Sequence, residues 1–136
     1  GEIGPHANTE LAKFPNVICH GRVDPVLNMQ LLSQCSLGMY ARTHDNLRSV
    51  LKIFSFIGAG LPTVTFDLID TKIVKDFKLG EVVHDIDDYI NIIMELKNSP
   101  AKLQKLQDRV LKFRPRYTWT NLALMLQSSI GENSER

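Results

Sequence analysis

One junction constrains this chain more than any other. Residues 48 to 64 read "RSVLKIFSFIGAGLPTV". Val50, Leu51, Ile53, Phe54, Phe56 and Ile57 recur as a helix destined for burial would require. The run stops at Gly58-Ala59-Gly60-Leu61-Pro62. Gly60 suits a left-handed residue just past a helix end, and Pro62 prevents continuation. "TVTF", 63 to 66, then reads as a strand. A buried helix handed directly to a short apolar strand is the repeating unit of an α/β sheet.

The rest of the chain repeats the pattern. Asn16 to Val23, "NVICHGRV", is β-branched and reads as a strand. Asp24-Pro25 reads as an N-cap followed by proline at the first helical position. Val26, Met29, Leu32 and Cys35 then recur at helical spacing. "LGMYAR", 37 to 42, is a short strand ending in polar "THDN". The opening helix runs from about Ser49 to Gly58. A short helix is expected near Ile73 to Phe77, and a strand at "EVVH", 81 to 84. Asp85 or Asp87 caps a helix carrying Ile90, Ile93, Met94 and Leu96. Pro100 starts another with Leu103, Leu106, Val110 and Phe113 on one face, broken by Pro115. "YTWTNLALMLQSSI" is expected as a terminal helix anchored by Trp119, and 131–136 as a disordered tail. The strands lack strict alternation, as befits a mostly parallel sheet covered on both faces. In such sheets ligands bind beyond the carboxyl ends of the strands. That rule selects the loops at 22–25, 41–50 and 67–72.

Bulk properties exclude several classes. The 136 residues suit one domain, and 43% hydrophobic against 23% charged residues is ordinary globular composition. A formal charge of +1 gives no global field for nucleic acid. No apolar run is long enough to span a bilayer, and we expect a cytoplasmic protein without a secretory leader. Cys19 and Cys35 form no metal spacing and are expected as buried, reduced thiols. His6, His20, His44 and His84 share no ligand spacing, and "DID", 85 to 87, reads as a helix cap rather than a cation loop. No metal or cofactor is expected. The opening "GEIGPH" reads as the end of a strand, so we expect a fragment of a longer chain.

Lys52 is the anomaly. A cation in a helix's first turn opposes the macrodipole at about 0.3–1 kcal/mol. An anion placed between its ammonium and the free N–H groups would remove that penalty, and phosphate fits. Ser49 adds a hydroxyl donor, and Arg42, His44 and Arg48 can share the loop edge. The plainer alternative is that Lys52 snorkels to solvent or pairs with Asp45 or Asp67. The "GAG" at 58–60 ends a helix instead of opening one, so it is not a dinucleotide fingerprint.

"NVICHGRV", an amphipathic helix, "CSLGMYAR" and then "SVLKIFSFIGAGLPTV" together resemble the C-terminal, donor-binding half of GT-B fold glycosyltransferases. The Ser-x-x-Lys at 49–52 is most similar to the bacterial glucuronosyltransferase of xanthan assembly and its relatives. The resemblance spans about 16 to 129. It implies a Rossmann-like three-layer domain, 1–130, that lacks its first strand and helix and the N-terminal acceptor domain. It implies that Gly21, Arg22 and Val23 border a nucleotide base. Ser49 and Lys52 would hold the diphosphate, Ser55 would face the ribose, and Arg42 with the following loop, including Arg48, would face the donor sugar or diphosphate. Many GT-B enzymes carry two glutamates where this chain has Leu47 and Ser55. The catalytic base would lie in the absent half, so the fragment alone would not catalyse transfer. The implied partners are a nucleoside-diphosphate sugar and a glycan or lipid-linked acceptor. The stripe of Lys102, Lys105, Arg109 and Lys112 could touch anionic lipid at the inner membrane face, or simply be a solvated helix face. Two other readings remain: a non-catalytic α/β ligand-binding module, and a protein-interaction domain using the basic helix.

Overall fold

The computed structural model describes residues 9–43, 51–118, 120, 121 and 124. The chain groups into two compact units, 1–31 and 32–136.

In the first unit, the predicted strand at 16–23 is absent. Residues 17–21 form no ladder, and Ile18 is 77% exposed. β-branched propensity reports how well a side chain fits a half-buried pleated surface, and without a neighbouring strand it has nothing to act on. The expected cap does form. Val26 and Leu27 N–H groups donate to Asp24 Oδ1 at 2.9 and 3.0 Å, opening helix α1 (Pro25–Ser33). Its apolar residues Val26 and Met29 nevertheless remain exposed. Cys19 and Cys35 are exposed as well, which corrects the expectation of buried thiols, and no disulfide joins them.

The second unit is α/β. Three strands, β1 (Gly38–Tyr40), β2 (Thr63–Phe66) and β3 (Gly80–Val83), lie in the order β1-β2-β3 and pair in parallel. Helix α2 (Leu51–Gly58) separates β1 from β2 among the described residues. A 3-10 turn (Ile69–Thr71) and helix α3 (Lys72–Asp76) separate β2 from β3. Helices α4 (Ile86–Asn98) and α5 (Pro100–Phe113) follow, then a 3-10 turn, Arg114–Tyr117. An open three-stranded parallel sheet of this kind is compatible with a Rossmann-like fold.

Alternation along the strands sends neighbouring side chains to opposite faces. Val64, Phe66 and Val83 join Tyr89, Leu96 and Leu106 in one apolar cluster. On the other side, Tyr40 and Val82 pack against Ile53, Ile57, Val74, Leu79, Val110 and Phe113. Both faces are therefore covered, as the uninterrupted apolar strands predicted. The stop after α2 forms by the expected means. Gly60 takes φ +79°, Leu61 N–H bonds to Phe56 O at 2.9 Å and Gly60 N–H to Ile57 O at 3.0 Å. These two bonds are the paired closure of a Schellman turn.

Of the two aspartates considered as caps for α4, Asp85 performs that role, accepting from Asp88 N–H at 2.8 Å. Asp85→Ala should cost about 1 kcal/mol, read as a lower denaturation midpoint with an unchanged slope. The buried side of α4 is rotated from the sequence expectation. Tyr89 and Leu96 are buried and Ile92 and Ile93 partly so, whereas Ile90 and Met94 face solvent.

Two groups tie this helical layer to pH. Burial raises the Tyr89 phenol. A hydrogen bond from Lys102 to Glu95, aided by Glu81, raises the Lys102 ammonium. In both cases folding favours the protonated form, so the contribution is complete below the unfolded values and fades as pH rises through the folded ones. Stability should hold through neutral pH and fall above about pH 10. Urea titrations across that range check this, with Tyr89→Phe flattening part of the fall.

Candidate functional site

The carboxyl edge of the sheet carries Arg42, Asp67 and Asp70 on the loops that follow β1 and β2. Loops leave it after Tyr40, Phe66 and Val83. The loop after β2 is fixed by one buried hydroxyl. Thr71 Oγ1 lies 2.8 Å from Phe66 O and 3.0 Å from Leu68 O, and accepts from Leu68 N–H at 3.1 Å. This closure sets the positions of Asp67 and Asp70.

Asp70 meets Arg42 from the loop after β1. Arg42 Nη1 donates to Asp70 Oδ2 at 2.6 Å and to Tyr40 Oη at 3.1 Å. The pair is largely shielded, with side-chain exposures of 19% and 17%. Asp70 Oδ1 is buried without a hydrogen-bond partner among the described residues. Arg42, expected to face a donor, is therefore engaged by a carboxylate 28 residues away. The pair also fastens the loops after β1 and β2 to each other. Shielded pairs of this kind specify geometry more than they add stability.

Asp67 is held by Lys75 at 2.6 Å. The hydrogen bond from Lys75 keeps the Asp67 carboxyl below its ordinary range, with a smaller electrostatic contribution from His84 beyond β3. This pairing answers one question about Lys52: Asp67 is occupied by a different lysine.

Lys52 itself is exposed and is the second residue of α2 as described. It makes no ion pair among the described residues. Its neighbour Ile53 is fully buried, so the helix turns its apolar side to the core and leaves the ammonium outside. Ser55 lies one turn later, and its hydroxyl donates back to Leu51 O at 3.0 Å. With that proton committed, Ser55 offers a ligand only an acceptor. Ser49, Arg48, His44, Asp45 and Leu47 lie outside the described residues. Gly21, Arg22 and Val23 belong to the first unit, where Gly21 takes φ +66°. Among the described residues no three His, Cys, Asp or Glu side chains gather as a metal site.

The basic stripe on α5 is less free than its spacing suggested. Lys102 reaches Glu95 at 2.9 Å and Glu81 at 3.3 Å, and Arg109 donates to Lys78 O at 3.1 Å. Lys105 and Lys112 remain exposed. No described helix is long and apolar enough to cross a membrane.

Sequence reasoning missed two features. The Arg42–Asp70 pair joins residues from separate loops, and no local spacing announces it. The other is a groove of about 640 Å³ lined by Leu51, Phe54, Ile57, Gly58, Arg114, Tyr117 and Thr118. The signal for it is the aromatic content of "KFRPRY", 112 to 117, which the sequence reading divides between a basic stripe, a break at Pro115 and the start of a terminal helix.

No protein-family model, no curated protein and no solved structure matches the chain.

Proposed function

We propose that this chain is the donor-binding part of a GT-B type glycosyltransferase, which moves a sugar from a nucleoside diphosphate to a glycan or lipid-linked acceptor. The observation that carries the reading is the exposed ammonium of Lys52 on α2, which makes no ion pair among the described residues, with Asp67 already taken by Lys75. A parallel sheet whose loops fan out at one edge supports it, since ligands of such sheets bind there. The sequence order Ser49-Val50-Leu51-Lys52 supplies the diphosphate contact that the resemblance implies.

The chemistry follows from charge. Breaking the sugar–phosphate bond leaves electrons on the diphosphate oxygens. A fixed ammonium beside backbone N–H groups stabilises that developing charge more than it stabilises the intact donor. Lys52 contributes the point charge, and Ser49 a hydroxyl donor. Arg42 acts from the side, with Asp70 holding the loop after β1 in place. The base that activates the acceptor belongs to another part of the protein.

A nucleoside diphosphate should raise the melting temperature of the intact protein. At about 100 times its Kd the ligand contributes about 2.7 kcal/mol, which is several degrees for a protein of this size. Uridine and guanosine diphosphates, titrated in a thermal-shift assay against the corresponding nucleosides, provide the test. Equal melting temperatures with and without every diphosphate would remove the reading.

A further inference from the structure

We propose that the groove between α2 and the turn after α5 docks the protein on an anionic lipid bilayer. The groove adjoins the proposed donor site, since Leu51 lines it and precedes Lys52, but the inference does not depend on the glycosyl-transfer reading.

The groove is apolar where it is open. Leu51, 69% exposed, and Phe54 and Tyr117, both more than a third exposed, line it together with Ile57. The aromatic rings form one continuous row of tilted contacts. Phe54 and Tyr117 lie 5.5 Å apart, Tyr117 and Phe113 5.2 Å, and Phe113 and Phe77 4.6 Å. Large apolar side chains left to water in a cluster usually mark a contact surface.

The rim supplies the sign of the partner. Arg114 lines the groove, its Nη1 directed to Gly58 O at 3.4 Å. Arg116 holds its guanidinium over the Phe113 ring, 5.7 Å from the centroid. The chain contains fifteen acidic residues, yet none falls between 51 and 66 or between 109 and 118. The two segments that build the groove thus carry arginines and lysines alone, in a chain whose net charge is only +1. An apolar, aromatic surface rimmed by cations complements a layer with acidic headgroups above hydrocarbon.

A bilayer fits better than an acidic peptide. Leu51, Phe54 and Ile57 offer no hydrogen bonds to a peptide backbone entering the groove, and acyl chains require none. Tyr117 pairs a ring with a hydroxyl, which suits the boundary between headgroups and hydrocarbon.

Co-sedimentation of the intact protein with vesicles tests the proposal. One set contains equal parts phosphatidylglycerol and phosphatidylcholine, the other phosphatidylcholine alone. We expect sedimentation with the first set only, and its loss as salt screens the headgroups. Each basic residue near such a surface is worth roughly fivefold in partitioning, so the double variant Arg114→Gln/Arg116→Gln should bind about thirtyfold more weakly. Leu51→Ser should weaken binding about tenfold. It removes a side chain that the core does not use, so it decides the matter if the double variant fails to fold. Lys52 is left intact throughout.

Absence of sedimentation with acidic vesicles at low salt overturns the proposal, as does equal sedimentation with both sets. Unchanged binding in folded variants moves the contact away from the groove and overturns it too. Arginine-dependent capture by poly-glutamate without vesicle binding would assign the groove to an acidic protein. A concentration-dependent dimer dispersed by Leu51→Ser would assign it to a second copy of the chain.

Discussion

Lys52→Ala will weaken nucleoside-diphosphate binding by about 1.5–3 kcal/mol, the scale of a hydrogen bond to a charged group. The same substitution will leave the unliganded protein equally stable or slightly more stable. The two signs differ for a physical reason. Without a bound anion, the ammonium opposes the positive end of the α2 dipole at about 0.3–1 kcal/mol, and removing it relieves that opposition. With a diphosphate present, the same charge is attractive. A lysine that served only packing or solubility would not produce this reversal. Isothermal calorimetry supplies the affinity and urea denaturation the stability. Lys52→Arg should keep part of the affinity, because charge is retained while the compact donor geometry is not. Unaltered affinity in the alanine variant would strip Lys52 of its role.

Gly80→Ala is expected to damage the fold severely. Gly80 opens β3 and pairs with Thr63 of β2. A β-carbon there would press on the Thr63 carbonyl oxygen and come within 2.6 Å of the Thr63 nitrogen. Both are backbone atoms of the central strand, and Thr63 N–H already bonds to Leu79 O at 3.1 Å. No side chain can swing aside to make room. The loss should reach or exceed the top of the range for overpacked cores, about 1–3 kcal/mol. Gly21→Ala provides the contrast, since a β-carbon at Gly21 meets nothing within 4 Å. Its cost should be confined to the strain of holding alanine at φ +66°. Circular dichroism melts of the two variants should differ clearly, and similar melts would contradict the close strand approach.

Much of the second unit could be read from local chemistry. Asp85, Pro100, Gly60 and Pro62 mark element ends through capping, ring geometry and left-handed backbone, all of which act within a few residues. "TVTF" became a strand because Thr63, Val64, Thr65 and Phe66 are all buried, so packing and propensity agreed. The failures share the opposite condition. Asn16 to Val23 had propensity without a partner strand. Cys19 and Cys35 had apolar character but lie exposed. On α4 the period was legible but its phase was not. Tyr89 won the buried side by stacking on Phe66 at 5.1 Å, a contact made 23 positions away in the chain. The site divides along the same line. Lys52 stood out because it violates a local rule of helices. Asp70 did not, because its meaning depends on Arg42 arriving from another loop.

Helix α5 has a mechanical consequence. Leu106 belongs to the apolar cluster on one face of the sheet, while Val110 and Phe113 belong to the cluster on the other. A single rigid rod therefore threads both cores. Neither can loosen without tugging on this shared shaft, so the two sides of the sheet surrender their order together in one cooperative event.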